Sequence, residues 1–242
     1  MFLTVLALLA SLSDAPAAGP TTPPALTVQQ VMERVHARAR ANEIVRNGIA
    51  YIKHKTVFDV DEAGERVHES LVWRMWIRDN VTWQQMTTKN GKPRNGKPEP
   101  PDANLAAGLI SWYTFRLDEK PIQPEPKSGI PCWVVHFTPS GQGTPNGLME
   151  EVASRMKGTM YVDSHGFWIR SASGSLPEPY RKFLVINAQR VNFTLVQSEE
   201  LGAVITRKLD VQFWYSVLGS NSAQRHEYVY ESFTLDVPAP AP

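Results

Sequence analysis

Hydrophobic residues near the start of the chain recur at helical spacing. Val28, Val31, Met32, Val35 and Ala39 form one stripe, and Glu33, Arg34, Arg38 and Arg40 lie on the opposite face. Thr27 precedes the stripe as an N-cap, with Gln30 three residues on as its capping-box partner. Gly48 follows the expected end, so the pattern predicts a helix over about residues 28–45. From Ile49 the period changes to two. Ile49–Val60 reads as a strand, with a turn at Asp61–Gly64, and Val67–Ile77 as the next strand. Leu71, Trp73, Met75 and Ile77 alternate there with Val72, Arg74, Trp76 and Arg78. Asp79-Asn80 tolerates positive φ and predicts a two-residue hairpin. Its register sets Arg78 opposite Val81, Trp76 opposite Trp83 and Trp73 opposite Met86. Both faces of this hairpin then carry large apolar side chains, which predicts a curved or covered sheet.

The middle of the chain is punctuated. Lys89–Pro101 contains Lys-Asn-Gly-Lys-Pro and then Arg-Asn-Gly-Lys-Pro, a short duplication that reads as a long exposed loop. Asn104–Phe115 is apolar and fits either a buried helix or a helix followed by a strand. Lys120–Gly129 is a second Pro-rich loop, and Pro131–Thr138 is a buried strand. Asn146–Met156 predicts a helix capped by Asn146, with Leu148, Val152 and Met156 on one face. Thr159–Asp163, a turn at Ser164-His165-Gly166 and Phe167–Ser173 form a hairpin. There Asp163 is expected to bond its own turn. Gly174–Arg181 is irregular.

Three long strands complete the pattern: Phe183–Ser198, Ala203–Leu218 and Ala223–Val237. Val191, Phe193 and Leu195 share a face of the first. Leu209, Val211, Phe213, Tyr215 and Val217 share a face of the second. Strands of about 12–15 residues exceed the usual five or six and suit a strongly curved sheet or barrel wall.

Composition adds compartment and excludes several chemistries. Residues 1–18 predict a secretory signal: Phe2–Leu12 is too short to span a bilayer, and the small residues Ala15, Ala17 and Ala18 follow it. Residues 19–26 form a Pro-rich lead-in, residues 27–237 a single domain and residues 238–242 a Pro-Ala tail. The 25 basic and 24 acidic residues leave a net charge of +1, which gives no support to nucleic-acid binding. Cys132 is the sole cysteine, so no intramolecular disulfide forms and a Cys-rich zinc site is excluded. Its setting in Cys132-Trp133-Val134-Val135 predicts a buried strand residue.

The six histidines, His36, His54, His68, His136, His165 and His226, have no ligand spacing, so neither metal nor cofactor is expected. Ser171-Ala172-Ser173-Gly174-Ser175 is not a nucleophile elbow. Glu69, Glu150, Glu151 and Asp163 offer carboxylates for a hydrolase, but Glu150 and Glu151 are adjacent on a helix and point apart. An enzyme is therefore the lesser expectation, behind a binding protein.

One stretch resembles a known family. Lys157-Gly158-Thr159-Met160-Tyr161-Val162-Asp163, a turn and Phe167-Trp168-Ile169-Arg170 are similar to a hairpin of periplasmic proteins of the outer-membrane lipoprotein carrier superfamily, the LolA/LolB-like fold. The strand Ile130–Pro139 before it and the helix at Asn146–Met156 also fit, and the element order matches over about residues 28–237. The resemblance implies an α+β, mostly antiparallel fold: an unclosed, strongly curved half-barrel with helices covering the open side. It implies binding of an acyl chain, a lipid or a lipidated protein in a concave cavity, in the periplasm of a Gram-negative bacterium. Leu71, Trp73, Met75, Ile77, Phe193, Leu195, Val211, Phe213 and Tyr215 would line that cavity. Relative to the carriers, the Lys89–Pro101 and Lys120–Gly129 loops are additions. The basic residues Lys89, Lys92, Arg94 and Lys97 suit a membrane-surface or protein contact. A sensor or interaction module with a filled core is the alternative expectation.

Overall fold

The computed structural model describes residues 26–100, 112–145, 147–182, 186–217 and 219–235. The expected signal, residues 19–25 of the lead-in and the tail lie outside the described residues, as do Asn104–Ser111 and Asn146.

Helix α1 spans Val28–Val45. Thr27 Oγ1 accepts from the Gln30 amide, and the Gln30 side chain accepts from the Thr27 amide, so the capping box forms. Val31, Met32 and Val35 are its buried face. Twelve strands follow in one sheet: β1 (Ala50–Asp61), β2 (Gly64–Arg78), β3 (Val81–Lys89), β4 (Lys92–Pro93), β5 (Tyr113–Pro124), β6 (Pro131–Pro139), β7 (Lys157–Asp163), β8 (Ile169–Ser175), β9 (Tyr180–Lys182), β10 (Ile186–Glu200), β11 (Ala203–Val217) and β12 (Ser220–Thr234). A short helix, α2 (Leu148–Ala153), falls between β6 and β7. No helix among the described residues is long and apolar enough to cross a membrane.

Every pairing is antiparallel, and the spatial order is β4-β3-β2-β1-β12-β11-β10-β8-β7-β6-β5, with β9 also on β10. The sheet does not close: among the described residues β4 and β5 are its two edges. It is an open, curved half-barrel, with α1 and α2 packed on its inner face. Val31, Met32 and Val35 of α1 pack against Trp133, Val135, Phe137, Met160 and Val162. Val152 of α2, with Met156 just after it, packs on Val191, Val211 and Phe213. Burying such side chains is worth about 1.5–3 kcal/mol each.

The Asp79-Asn80 hairpin forms as its sequence predicts. Both residues adopt positive φ, and Arg78–Val81, Trp76–Trp83 and Trp73–Met86 are partners. Cys132 is fully buried in β6. Asp163 accepts from the amides of His165 and Gly166 in its turn and from Arg170 Nε at 2.7 Å.

Two expectations need correction. Lys89–Pro101 is not a free loop over its described length. Lys92–Pro93 pairs with β3, and Gln84 and Glu99 exchange backbone hydrogen bonds, so the segment straps back along the hairpin. Lys120–Gly129 is likewise half strand, because β5 runs to Pro124. The pairing jumps from Leu117–Val135 to Ile122–Trp133, leaving Asp118–Pro121 as a bulge on the edge strand. Asp118 anchors it by accepting from the Lys120 amide and meeting His136 Nε2 at 2.8 Å.

Candidate functional site

The register of the sheet assigns every inner-face side chain. At one level the partners across the strands are Val135, Met160, Ala172, Leu195, Leu209, Tyr228, Lys55 and Leu71. At the next they are Phe137, Gly158, Gly174, Phe193, Val211, His226, Val57 and Glu69. The glycines exist for the rings above them. A Cβ on Gly174 would lie 2.6 Å from the Phe193 ring, and one on Gly158 would lie 2.6 Å from the tip of Phe137. The two rings face each other with centres 6.3 Å apart.

The nine residues expected to line a cavity all lie in the described sheet, and they divide into two groups. Leu71, Trp73, Met75 and Ile77 of β2 pack with Ile49, Tyr51, Ala203 and Ile205, and are only 3–8% exposed. Phe193, Leu195, Val211, Phe213 and Tyr215 of β10 and β11 are half-buried. Phe193 bridges the cluster under α1 and the cluster under α2. Between the two groups lie β12 and β1, and their inner face is polar and aromatic. An open groove of ≈ 510 Å³ also runs between α1 and β5, lined by Met32, His36, Arg40 and Phe115 among others.

Sequence reasoning missed the central stripe. Lys53 and Lys55 are two apart on β1, opposite Tyr230 and Tyr228 of β12. Lys53 Nζ donates to Gln84 Oε1 at 3.0 Å and lies 4.2 Å from the centre of the Trp73 ring. Lys55 Nζ lies 5.7 Å from the centre of Tyr228. His226 stacks edge-on to Phe213 with ring centres 5.2 Å apart. Burial, and then the charge of Lys55, pulls Lys53 down to about 8. The same two causes in the same order lower His226. Burial raises Tyr228 and Tyr230. Glu69 is the acidic neighbour, and it is held ionised chiefly by its bond from Lys89 at 2.8 Å. The legible signal was parity: Lys53 and Lys55 share the phase of Tyr51 and Val57, both buried.

Two of the four carboxylates considered for a hydrolase lie far apart. Glu69 is on β2 and Asp163 on β7, six strand positions away in the sheet. Asp163 is consumed by its turn and by Arg170, while Glu151 is bonded by the Tyr180 hydroxyl.

No protein-family model matches the chain, and no curated protein matches it. Solved structures with a similar course do exist. A DUF1329 family protein from Desulfovibrio piger is 11% identical with a TM-score of 0.42, covering 87% of this chain and 95% of its own. A domain assigned to outer membrane lipoprotein sorting, from Vibrio parahaemolyticus, is 7% identical with a TM-score of 0.40, covering 84% and 92%. The MucA/MucB complex of Pseudomonas aeruginosa matches at 11% identity and a TM-score of 0.24, covering 85% and 100%. At these identities and scores the likeness says nothing about ligand or role.

Proposed function

We propose that this is an exported binding protein of the bacterial cell envelope that holds an acyl chain, a lipid or a lipidated protein against its concave sheet. The observation that carries the reading is the run of half-buried apolar side chains on β10 and β11: Phe193, Leu195, Val211, Phe213 and Tyr215. They share the inner face, yet unlike the β2 group they keep surface to offer. Each CH₂ of a chain laid on them would contribute about 0.8 kcal/mol. The apolar run and small residues of 1–18 support export, and the Lys157–Arg170 hairpin supports the carrier resemblance.

Gentle mass spectrometry of protein purified from its native compartment tests the reading, with a stoichiometric lipid or acylated peptide as the expected result. Phe213→Asp should abolish that retention in protein that circular dichroism shows to be still folded, although its stability falls because Phe213 packs under α2. Full lipid retention by a folded variant would remove the β11 face from the site.

The closed packing of the β2 group favours a second reading, a module that works through its surface. Its contact would be the β3–β4 strap, where Lys92, Arg94 and Lys97 are exposed. Neutralising those three should then weaken capture by anionic vesicles in a salt-dependent way.

A further inference from the structure

Lys53 and Lys55 are an unusual pair to find on the inner face of a sheet. Among the described residues neither makes an ion pair, although the outer face pairs its charges freely, as Arg225 does with Glu65 and Asp210. Glu69, the carboxylate nearest in the register, is already bonded by Lys89. Lys53 has one neutral hydrogen-bond acceptor, Gln84, and Lys55 lies over the face of Tyr228, with Glu69 in electrostatic reach but held by Lys89. Two partly buried ammonium groups on adjacent inward positions repel each other and lose hydration. An anion placed between them would relieve both costs with charge-assisted hydrogen bonds. Trp73, Tyr228 and Tyr230 wall the pair, which suits a slim head group better than the surface of a folded partner.

Both flanks of the pair are apolar, but the β2 flank is closed and the β11–β10 flank is half-buried. From Lys55 the register runs through Tyr228 and Leu209 to Leu195, and Phe193 stands one level over. That is three strand spacings, about 14 Å, from ammonium stripe to apolar floor. We infer that Lys53 and Lys55 bind the anionic oxygen head, phosphate or carboxylate, of an amphiphile whose chain crosses Tyr228 and Leu209 to Leu195 and Phe193. The inference rests on the reading of the concave sheet as a lipid site, and it fixes which end of the ligand sits where.

Calorimetric titration of the full chain with dodecyl phosphate, dodecanol and inorganic phosphate separates the possibilities. Dodecyl phosphate is expected to bind about tenfold or more tighter than dodecanol, with inorganic phosphate far weaker than either. In K53Q/K55Q the affinity for dodecyl phosphate should fall to that for dodecanol, and dodecanol binding should not change. Should the double variant fail to fold, Lys55→Gln alone gives the same direction, since among the described residues the Lys55 side chain makes no hydrogen bond whose loss would unsettle the sheet. Equal binding of dodecyl phosphate and dodecanol by the native chain would overturn the head-group assignment and leave the lipid site standing. Inorganic phosphate binding as tightly as dodecyl phosphate would also overturn it, in favour of a free-anion site. Binding of none of the three would defeat the lipid site and this inference together.

Discussion

Gly158 and Gly174 illustrate how single residues set the inner face. A Cβ on Gly158 would lie 2.0 Å from the Ser173 carbonyl oxygen and 2.6 Å from Gly174 Cα, both backbone atoms that cannot swing aside. Gly158→Ala should therefore destabilise the fold by about 2–3 kcal/mol, read as a lowered denaturant midpoint. A neutral result would mean that β7 and β8 approach less closely than the structure has them. Lys53 makes a prediction of a different kind. Its folded value of about 8 lies below its ordinary 10.5, so between those values the unfolded chain holds the proton and the folded chain does not. Stability from this group is lowest below pH 8 and recovers as pH rises toward 10.5. Compared with Lys53→Met, the native chain should thus gain on the order of 1 kcal/mol of relative stability from pH 7 to pH 10, after allowance for partial exposure. A gap that is flat with pH would show Lys53 to be solvated. Of this, only the shared parity of Lys53 and Lys55 with Tyr51 and Val57 was visible in the sequence. Ile49–Val60 read only as a strand, and parity gains meaning only once β2 and β12 flank it and give it a filled face.

Elements were legible where local chemistry and period agreed. Thr27 and Gln30 announce the start of α1, and Thr27→Ala should cost about 1 kcal/mol, lowering the melting temperature by about 2–4 °C. A melting curve unchanged by this substitution would mean the first turn is held by packing of Val31 and Met32 alone. The β2–β3 hairpin was readable to the residue, because Asp79-Asn80 fixes the register and alternation fixes the face. The failures share one cause. Pro121, Pro124 and the Lys-Asn-Gly-Lys-Pro repeat are local breaker signals, yet the edge of a sheet accepts a proline and pairs what remains. So β5 continues past its bulge and β4 forms around Pro93, with partners that lie outside any short window. The helix at α2 was found but runs only Leu148–Ala153, with Gly147 rather than a side-chain cap at its start. The same division holds for the inner face: the apolar side chains of β10 and β11 were readable from strict alternation, whereas the lysine stripe depends on which strands become neighbours.

A sheet of twelve strands that does not close must protect two edges, and here the two are guarded differently. β4 is two residues long, Lys92 and Pro93, one charged and one unable to donate. Both traits discourage another strand from adding on. β5 is twelve residues long and would be a good template if it were regular. The Asp118–Pro121 bulge breaks it: four residues stand where the register leaves room for one, opposite Val134. Asp118 holds that shape through His136 Nε2, the Lys120 amide and Gln123 Nε2. Asp118, Glu119 and Lys120 also set charge along the free edge, and α1 packs close beside it. The bulge is thus the price of leaving the concave face open, since closing the barrel would abolish the edge and the access together. Replacing Asp118-Glu119-Lys120-Pro121 by a single threonine would restore an unbroken ladder, with Leu117 on Val135, the threonine on Val134 and Ile122 on Trp133. Its monomer fold should survive, because the inward parity of Tyr113, Phe115, Leu117 and the core beneath α1 is untouched. Self-association should rise with concentration in sedimentation velocity, and infrared absorption should show new intermolecular strand pairing. A variant that sediments as the native chain does at every concentration would mean that α1, not the bulge, keeps this edge from pairing.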